Sequence, residues 1–327
     1  LTEDLHLGDF TATAASRGLP RYFGDVLVEL AADRPEIVVL SGDLTPATEC
    51  DAFREAYPDR FYLAGIAEAN MVGMAAGMAR LGDIPFVHTF SVFLYRRALD
   101  QIAMQVAYPK TNVKLVGFLP GLSTLLGVSH QAIEDVAVMR ALPNMTIIEP
   151  SGPAQFKAAL VAALEHSGPV YLRMHRAPAA LPAETPLMPL ELGKGQLLRD
   201  GADGVMFTSG LMVAECLAAA ETLQAQGIQV SVANMHTLKP LDREFVITHA
   251  RRTGRVLTAE NHSAIGGLGS AVADILAETR LAVSFGKVAI QDTFGEGGST
   301  PYLFDKYGLS SKHIVNAMLG LFSNGAQ

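Results

Sequence analysis

Apolar positions along this chain fall into short continuous runs, separated by longer stretches in which they recur every three or four residues. The runs are IVVL at 37–40, FYLAGI at 61–66, IPFVHTF at 84–90, VKLVGF at 113–118, MTIIEP at 145–150 and VYLRM at 170–174. Short runs rich in β-branched and aromatic residues, with no polar face, predict strands buried on both sides. The helical spacing between them predicts helices over 21–32, 68–81, 95–106, 132–142 and 153–165. Such alternation is the pattern of a mostly parallel sheet covered on both faces.

The pattern breaks at the proline-rich stretch RAPAALPAETPLMPLELGKG, 176–195, whose composition resembles neither flank and predicts a linker. It resumes with GVMFTSG, a helix from Met212, GIQVSVANM, a helix near 241–251, RVLTAEN, a GGLG loop at 266–269 opening a helix, and VAIQDTFGE. The expected fold class is therefore α/β, with two doubly wound, mostly parallel-sheet domains at 1–180 and 196–327 joined by a linker at 181–195.

A length of 327 residues suits two domains, and 49% hydrophobic against 18% charged residues suits sizeable cores. A net charge of −8 without basic runs argues against nucleic-acid or anionic-membrane partners. Cys50 and Cys216 have neither metal-type spacing nor a disulfide framework. With no signal-like N-terminal pattern and no uninterrupted apolar span, a cytoplasmic protein is expected.

Candidate chemistry centres on GIAEANMVGMAAGMA at 65–79, where Glu68 stands alone among small and apolar residues. A first-turn carboxylate can simply complement the helix dipole. Yet Gly73, Ala75, Ala76, Gly77 and Ala79 leave one face nearly flat, open to another backbone or a flat ligand. A carboxylate buried there would have a raised proton affinity, suited to sharing a proton with a nitrogen base. His130 follows a glycine loop at a strand's carboxyl end, where parallel sheets place ligand sites, although a lone histidine is equally at home as a structural residue. Phe90 and Phe93 fit either core or a stacking floor for a flat ring. Arg17 and Arg176 fit either an anion clamp or solvated surface charge. The GGLG loop lacks a full dinucleotide fingerprint or a P-loop lysine and reads as a tight turn, and His262 reads as a structural or interface residue.

In order and spacing, SGDLTPAT at 41–48, GIAEANMVGMAAGMA at 65–79, FSVF at 90–93, SHQAIEDVAVMRALPNM at 129–145, KPLD at 239–242 and TAENHSAIGGLGSAVA at 258–273 resemble the pyrimidine-binding and C-terminal domains of transketolase across essentially the whole chain. The resemblance implies that Glu68 contacts N1′ of the aminopyrimidine of thiamine diphosphate and promotes the tautomer that removes the thiazolium C2 proton. It further implies Asp43 and Leu44 beside the thiazolium, Phe90 and Phe93 around the pyrimidine, His130 at the donor carbonyl, and Arg17 and Arg176 on a sugar phosphate. The second domain is expected to serve dimer contacts rather than chemistry.

The Gly-Asp-Gly motif and later Asn through which transketolases hold the diphosphate and a divalent metal, Mg2+ or Ca2+, are not found. The resemblance therefore implies the C-terminal subunit of a split transketolase, completed by an N-terminal subunit in an α2β2 heterotetramer, with no metal ligand in this chain. The substrate pattern departs from the family's. Leu126 replaces an aspartate on the donor's C2 hydroxyl, Ala47 a phosphate-contacting serine, Phe118 a phosphate-contacting histidine, and Ala67 and Ala69 the Arg and His flanking the glutamate. Each loss removes roughly 0.5–3 kcal/mol of buried hydrogen bonding. Leu126 and Phe118 thus join Arg17, His130 and Arg176 as expected substrate contacts, for a donor or acceptor unlike the common pentose and hexose phosphates. The rival readings are a 1-deoxyxylulose 5-phosphate synthase, a 2-oxo acid dehydrogenase E1 β subunit, and a noncatalytic subunit of such a complex; DLTPAT and FSVF favour transketolase over the first two.

Overall fold

The continuous apolar runs, short and rich in β-branched and aromatic residues, fold as strands whose backbone groups are satisfied by sheet hydrogen bonds. A computed structural model of the chain describes residues 21–175 and 190–323. Strands β1 (Ile37–Ser41), β2 (Phe61–Leu63), β3 (Ile84–Phe90), β4 (Lys114–Phe118), β5 (Thr146–Ile148) and β6 (Val170–Met174) form a parallel sheet in the order β5-β6-β4-β3-β1-β2. It is accompanied by helices α1 (Tyr22–Ala31), α2 (Asp51–Ala56), α3 (Glu68–Leu81), α4 (Ser91–Gln101), α5 (Asp135–Ala141) and α6 (Pro153–Glu165). The chain leaves β1 toward β2 on one side and builds β3, β4 and β6 on the other. The carboxyl ends of β1 and β3 thus flank a topological switch point, where open α/β sheets bind ligands.

The second unit contains β7 (Gln196–Arg199), β8 (Gly204–Thr208), β9 (Val230–Asn234), β10 (Thr237–Lys239), β11 (Arg255–Ser263) and β12 (Ser284–Ile290). Its helices are α7 (Met212–Gln224), α8 (Arg243–Thr253), α9 (Leu268–Glu278), α10 (Thr300–Lys306) and α11 (Ser311–Ser323). Its sheet runs β12-β11-β8-β9-β7, with β7 antiparallel. Strand β10 is absent from this sheet. It crosses to the first and pairs antiparallel with β5, Thr237 opposite Ile148 and Lys239 opposite Ile147. One hydrophobic cluster runs through the seam, from Met174 and Leu190 to Phe207, Ala233 and Val246.

Two helix boundaries differ from the spacing-based expectation. Helix α4 begins at Ser91 directly from β3 and passes into a π-helical turn over Ile102–Ala107, with Ala98 off helical geometry at φ −122°. Helix α5 starts only at Asp135, because Ala132 is held in bridges to Pro120 and Gly121. Residues 176–189 of the expected linker lie outside the described residues.

Beneath the seam Arg173, at the end of β6, is 1% exposed. Its Nε and Nη2 donate to Asp135 Oδ2 and Oδ1 at 2.8 and 3.1 Å, its Nη1 to Glu149 Oε1 at 2.5 Å, and its Nη2 also to the Asn261 carbonyl at 2.9 Å. Tyr171 Oη donates to Asp135 at 2.7 Å, and Ser209 Oγ to Glu149 Oε2 at 2.6 Å. Burial alone would raise the Glu149 pKa; the Arg173 charge, with the His175 and Ser209 bonds, outweighs it and holds the carboxyl at about 2.

Removing one member of a buried ionic cluster leaves the other charges unpaired, so Arg173→Leu is expected to cost about 3–5 kcal/mol in urea unfolding at neutral pH. A loss below 1 kcal/mol would refute this weight on the cluster. The Glu149 contribution is full above the unfolded carboxyl's pKa, near 4.5, and drains as pH falls toward 2. Acid titration of stability is therefore expected to flatten over that window in Glu149→Gln.

Candidate functional site

Glu68 is the first residue of α3, where a helix favours negative charge. Its side chain nevertheless turns inward and is 2% exposed, while Ala67 before it is exposed. Gly65, at φ 75°, makes the turn that delivers it. Arg97 Nη1 donates to Glu68 Oε1 at 2.7 Å, and Oε2 makes no hydrogen bond among the described residues. Helix α3 buries Met71, Val72, Ala75 and Ala76 and turns Gly77 outward, with nothing within 4 Å of where a Cβ would stand.

Phe90 ends β3 and Phe93 lies in the first turn of α4, so the strand-to-helix junction brings the rings together. Their centroids are 5.8 Å apart at 28°, a stacked pair. His130, in a 3-10 turn over Val128–His130, meets both edge-on, 5.1 Å from Phe93 and 6.1 Å from Phe90. The Arg97 guanidinium lies 4.1 Å over the Phe93 ring, close enough for cation–π attraction. Burial, and then the Arg97 charge, push the His130 pKa below its usual value of 6.5. A neutral imidazole results at pH 7, with Ser129 Oγ 2.9 Å from Nδ1.

Asp43 and Leu44 follow β1 at the same switch point. Asp43 is exposed in left-handed backbone at φ 65°, a conformation Asp tolerates better than most residues, and Leu44 is half-buried against the first core. Leu126 is 39% exposed, beside Leu125 and Val128 at 38% and 39%. Phe118, expected as a substrate contact, is core instead. It is fully buried, 5.7 Å from Phe23 and 6.0 Å from His88, because β4 is an inner strand covered on both faces. Arg17 and Arg176 lie outside the described residues.

The sequence reading overlooked Arg97, which touches both Glu68 and Phe93. It sits four residues after Phe93, the spacing that stacks side chains on one helix face, so the signal was present. The neighbouring Arg96 pairs with Glu134 at 2.5 Å. The GGLG turn is filled by the chain's own anion: Glu260 accepts from Leu268 N at 2.7 Å and Gly269 N at 2.8 Å at the start of α9. A Cβ on Gly267 would stand 2.0 Å from that carboxylate. His262 accepts from Ala137 N at 3.3 Å and bonds the Ser263 carbonyl at 2.8 Å, joining α5 to β11. Among the described residues no group of three or more His, Cys, Asp or Glu could hold a metal ion, and no helix is long and apolar enough to cross a membrane.

Residues 19–180 match the family model for the transketolase pyrimidine binding domain, and 193–314 that for the transketolase C-terminal domain. The chain is 47% identical over 294 residues to the 6-deoxy-6-sulfo-D-fructose transketolase subunit of Clostridium sp. (strain MSTE9), covering 90% of this chain and 91% of that protein. It is 36% identical over 308 residues to the 1-deoxy-D-xylulose-5-phosphate synthase of Syntrophotalea carbinolica, covering 92% of this chain but 48% of that enzyme. Among solved structures it is similar to a split gene transketolase described as an inactive β4 tetramer. The TM-score is 0.84 at 43% identity, covering 94% of this chain and 98% of that one.

Because the Arg97 charge depresses His130, Arg97→Met is expected to move the His130 titration upward toward 6.5 in an NMR pH series. An unchanged midpoint would mean that burial alone sets it.

Proposed function

The chain belongs to the transketolase family, and on that premise we propose that it is the C-terminal subunit of a split, thiamine diphosphate-dependent transketolase that moves a two-carbon ketol unit from a ketose to an aldehyde. The observation that carries this reading is Glu68: a buried carboxylate with one oxygen unbonded, beside a stacked phenylalanine pair and a neutral histidine.

These residues fit the cofactor that the matched pyrimidine-binding domain implies. The Phe90 and Phe93 rings offer an aromatic face to a flat heterocycle, and the Glu68 carboxylate suits a ring nitrogen. When bound, thiamine diphosphate supplies a carbon nucleophile and electron sink for breaking the bond next to a ketose carbonyl. Glu68 holds and moves the proton at N1′ of the pyrimidine. Asp43 and Leu44 line the thiazolium side. The neutral His130 imidazole serves the donor's oxygen atoms, as acceptor or donor of a proton at neutral pH.

The metal, Mg2+ or Ca2+, and the diphosphate belong to an N-terminal subunit, in a cytoplasmic α2β2 assembly. The division into subunits is supported by two relatives of almost this chain's length, one a transketolase subunit and the other a split gene transketolase. Leu63, Ile66, Leu81 and Met104 expose apolar surface on and around α3, suited to such a contact. Arg17 and Arg176 hold a terminal anion on the sugar. With an exposed leucine, Leu126, in the His130 loop, the pocket favours a ketose other than the common sugar phosphates. The sulfonated ketose of the Clostridium relative falls in that class.

Gentle purification with mass spectrometry is expected to bring down a second polypeptide together with thiamine diphosphate and a divalent metal. A chain that elutes alone and cofactor-free would overturn the reading. In the assembled complex, Glu68→Gln is expected to lower ketol transfer by about 10²–10⁴-fold without dissociating the subunits. Decarboxylation of a 2-oxo acid in preference to ketose cleavage would instead place the chain with the synthase-type relatives.

A further inference from the structure

The middle of the loop that carries His130 is bonded to the second domain, and we infer that Asn261 of that domain is a positioning residue for catalysis, acting through the loop. The inference rests on the proposed contact between His130 and the donor. It assigns the second domain a part in the chemistry in addition to assembly.

The loop runs from Leu119 to Glu134, between β4 and α5; Ala132 packs into the first core, while two other buried apolar residues point away from it. Leu122 is fully buried and Ile133 is 8% exposed, and both belong to the hydrophobic cluster of the second domain, with Leu257, Ala259, Val288 and Ile290. Polar bonds hold the loop's ends to the first domain, Leu119 N to the Met174 carbonyl at 3.1 Å and Arg96 to Glu134, and its middle to the second. Leu122 N donates to Asn261 Oδ1 at 2.9 Å, Ser263 N to the Ile133 carbonyl at 2.7 Å, and Gln131 Nε2 to the Glu296 carbonyl at 2.8 Å. His130 lies between these ties, next to Gln131.

Glycines on both sides of the seam make the contact as close as backbone allows. A Cβ at Gly121, where φ is +62°, would stand 2.3 Å from Asn261 Cγ. One at Gly295 would meet Gln131 Oε1 at 2.3 Å and Leu122 Cδ2 at 2.7 Å. One at Gly127 would meet Gly297 N at 3.3 Å, and one at Gly297 the Leu125 carbonyl at 3.2 Å. The loop is thus cast against the 295–297 segment and Asn261.

Asn261 is the centre of this mould. It is 2% exposed, its carbonyl takes Arg173 Nη2, and its side-chain oxygen takes Leu122 N, while its Nδ2 has no partner. A buried amide donor left unpaired detracts from stability, so the side chain is of use here for its acceptor. Glu68, Phe90 and Phe93 sit on α3, β3 and α4 and make none of these bonds themselves. Loosening the loop therefore separates the donor end of the site from its cofactor end.

The test uses the assembled complex for kinetics and the isolated subunit for hydrogen exchange. Asn261→Leu removes the acceptor at similar volume, Asn261→Asp keeps it, and Gln131→Leu cuts the second tie should Asn261→Leu fail to fold. Amides of 119–131 are expected to exchange faster in Asn261→Leu and Gln131→Leu but not in Asn261→Asp. Donor kcat/KM is expected to fall about tenfold to a hundredfold in the first two, with thiamine diphosphate affinity unchanged. Adding His130→Ala to Asn261→Leu is expected to cost less than it does alone, since both act through one group. Unchanged exchange, fully additive losses, or equal losses of cofactor and donor binding would each overturn the inference. If His130→Ala alone leaves donor turnover intact while Glu68→Gln abolishes it, the fault lies in the role assigned to His130, and faster exchange in Asn261→Leu would still locate the tie.

Discussion

A single guanidinium, that of Arg173, holds the site's framework in register. Its planar fork meets Asp135 at the head of α5, Glu149 after β5 and the Asn261 carbonyl on β11. Such a cluster is sound only when every charge is matched, because desolvation penalises any that is not. The match is geometric: arginine presents several donors in a fixed plane, which a lysine could not reproduce. Three elements from two domains are thereby fixed around one group, and the loop ahead of α5 inherits its end point from them.

On this frame the candidate site uses an old property of parallel sheets, that strand carboxyl ends converge where the winding reverses. Phe90 closes β3 and hands the chain to α4, which carries Phe93 and Arg97 one turn apart. Glu68 opens α3 from the adjoining crossover. Arg97 joins the two helices by bonding the carboxylate and covering the ring, so that charge and aromatic surface are set by one side chain. Its field also reaches His130.

Much of this was legible in the chain. The doubly apolar runs gave the strands because burial on both faces leaves no polar alternation to misread, and the lone Glu68 among small residues pointed to a carboxylate that the fold buries. Strands β7 and β10, QLLR and TLK, are not legible because they present no continuous apolar run. Helix α5 was drawn too long because the bridges of Ala132 to Pro120 and Gly121 are tertiary. Phe118 was assigned to the pocket by correspondence, whereas its place on an inner strand makes it core. The ties of Leu122 and Ile133 to the other domain could not be read at all, since an apolar residue in a loop does not announce which core it enters.

Strand β10 bears on how such a protein can be divided. The second unit lends Thr237–Lys239 to the edge of the first sheet, so the two sheets are not separable modules despite the proline-rich stretch between them. A chain cut within 176–195 would leave β5 with a bare edge, a template for pairing with any passing strand. The heritable unit here is the interlocked pair. Grafts between relatives should carry both sheets together.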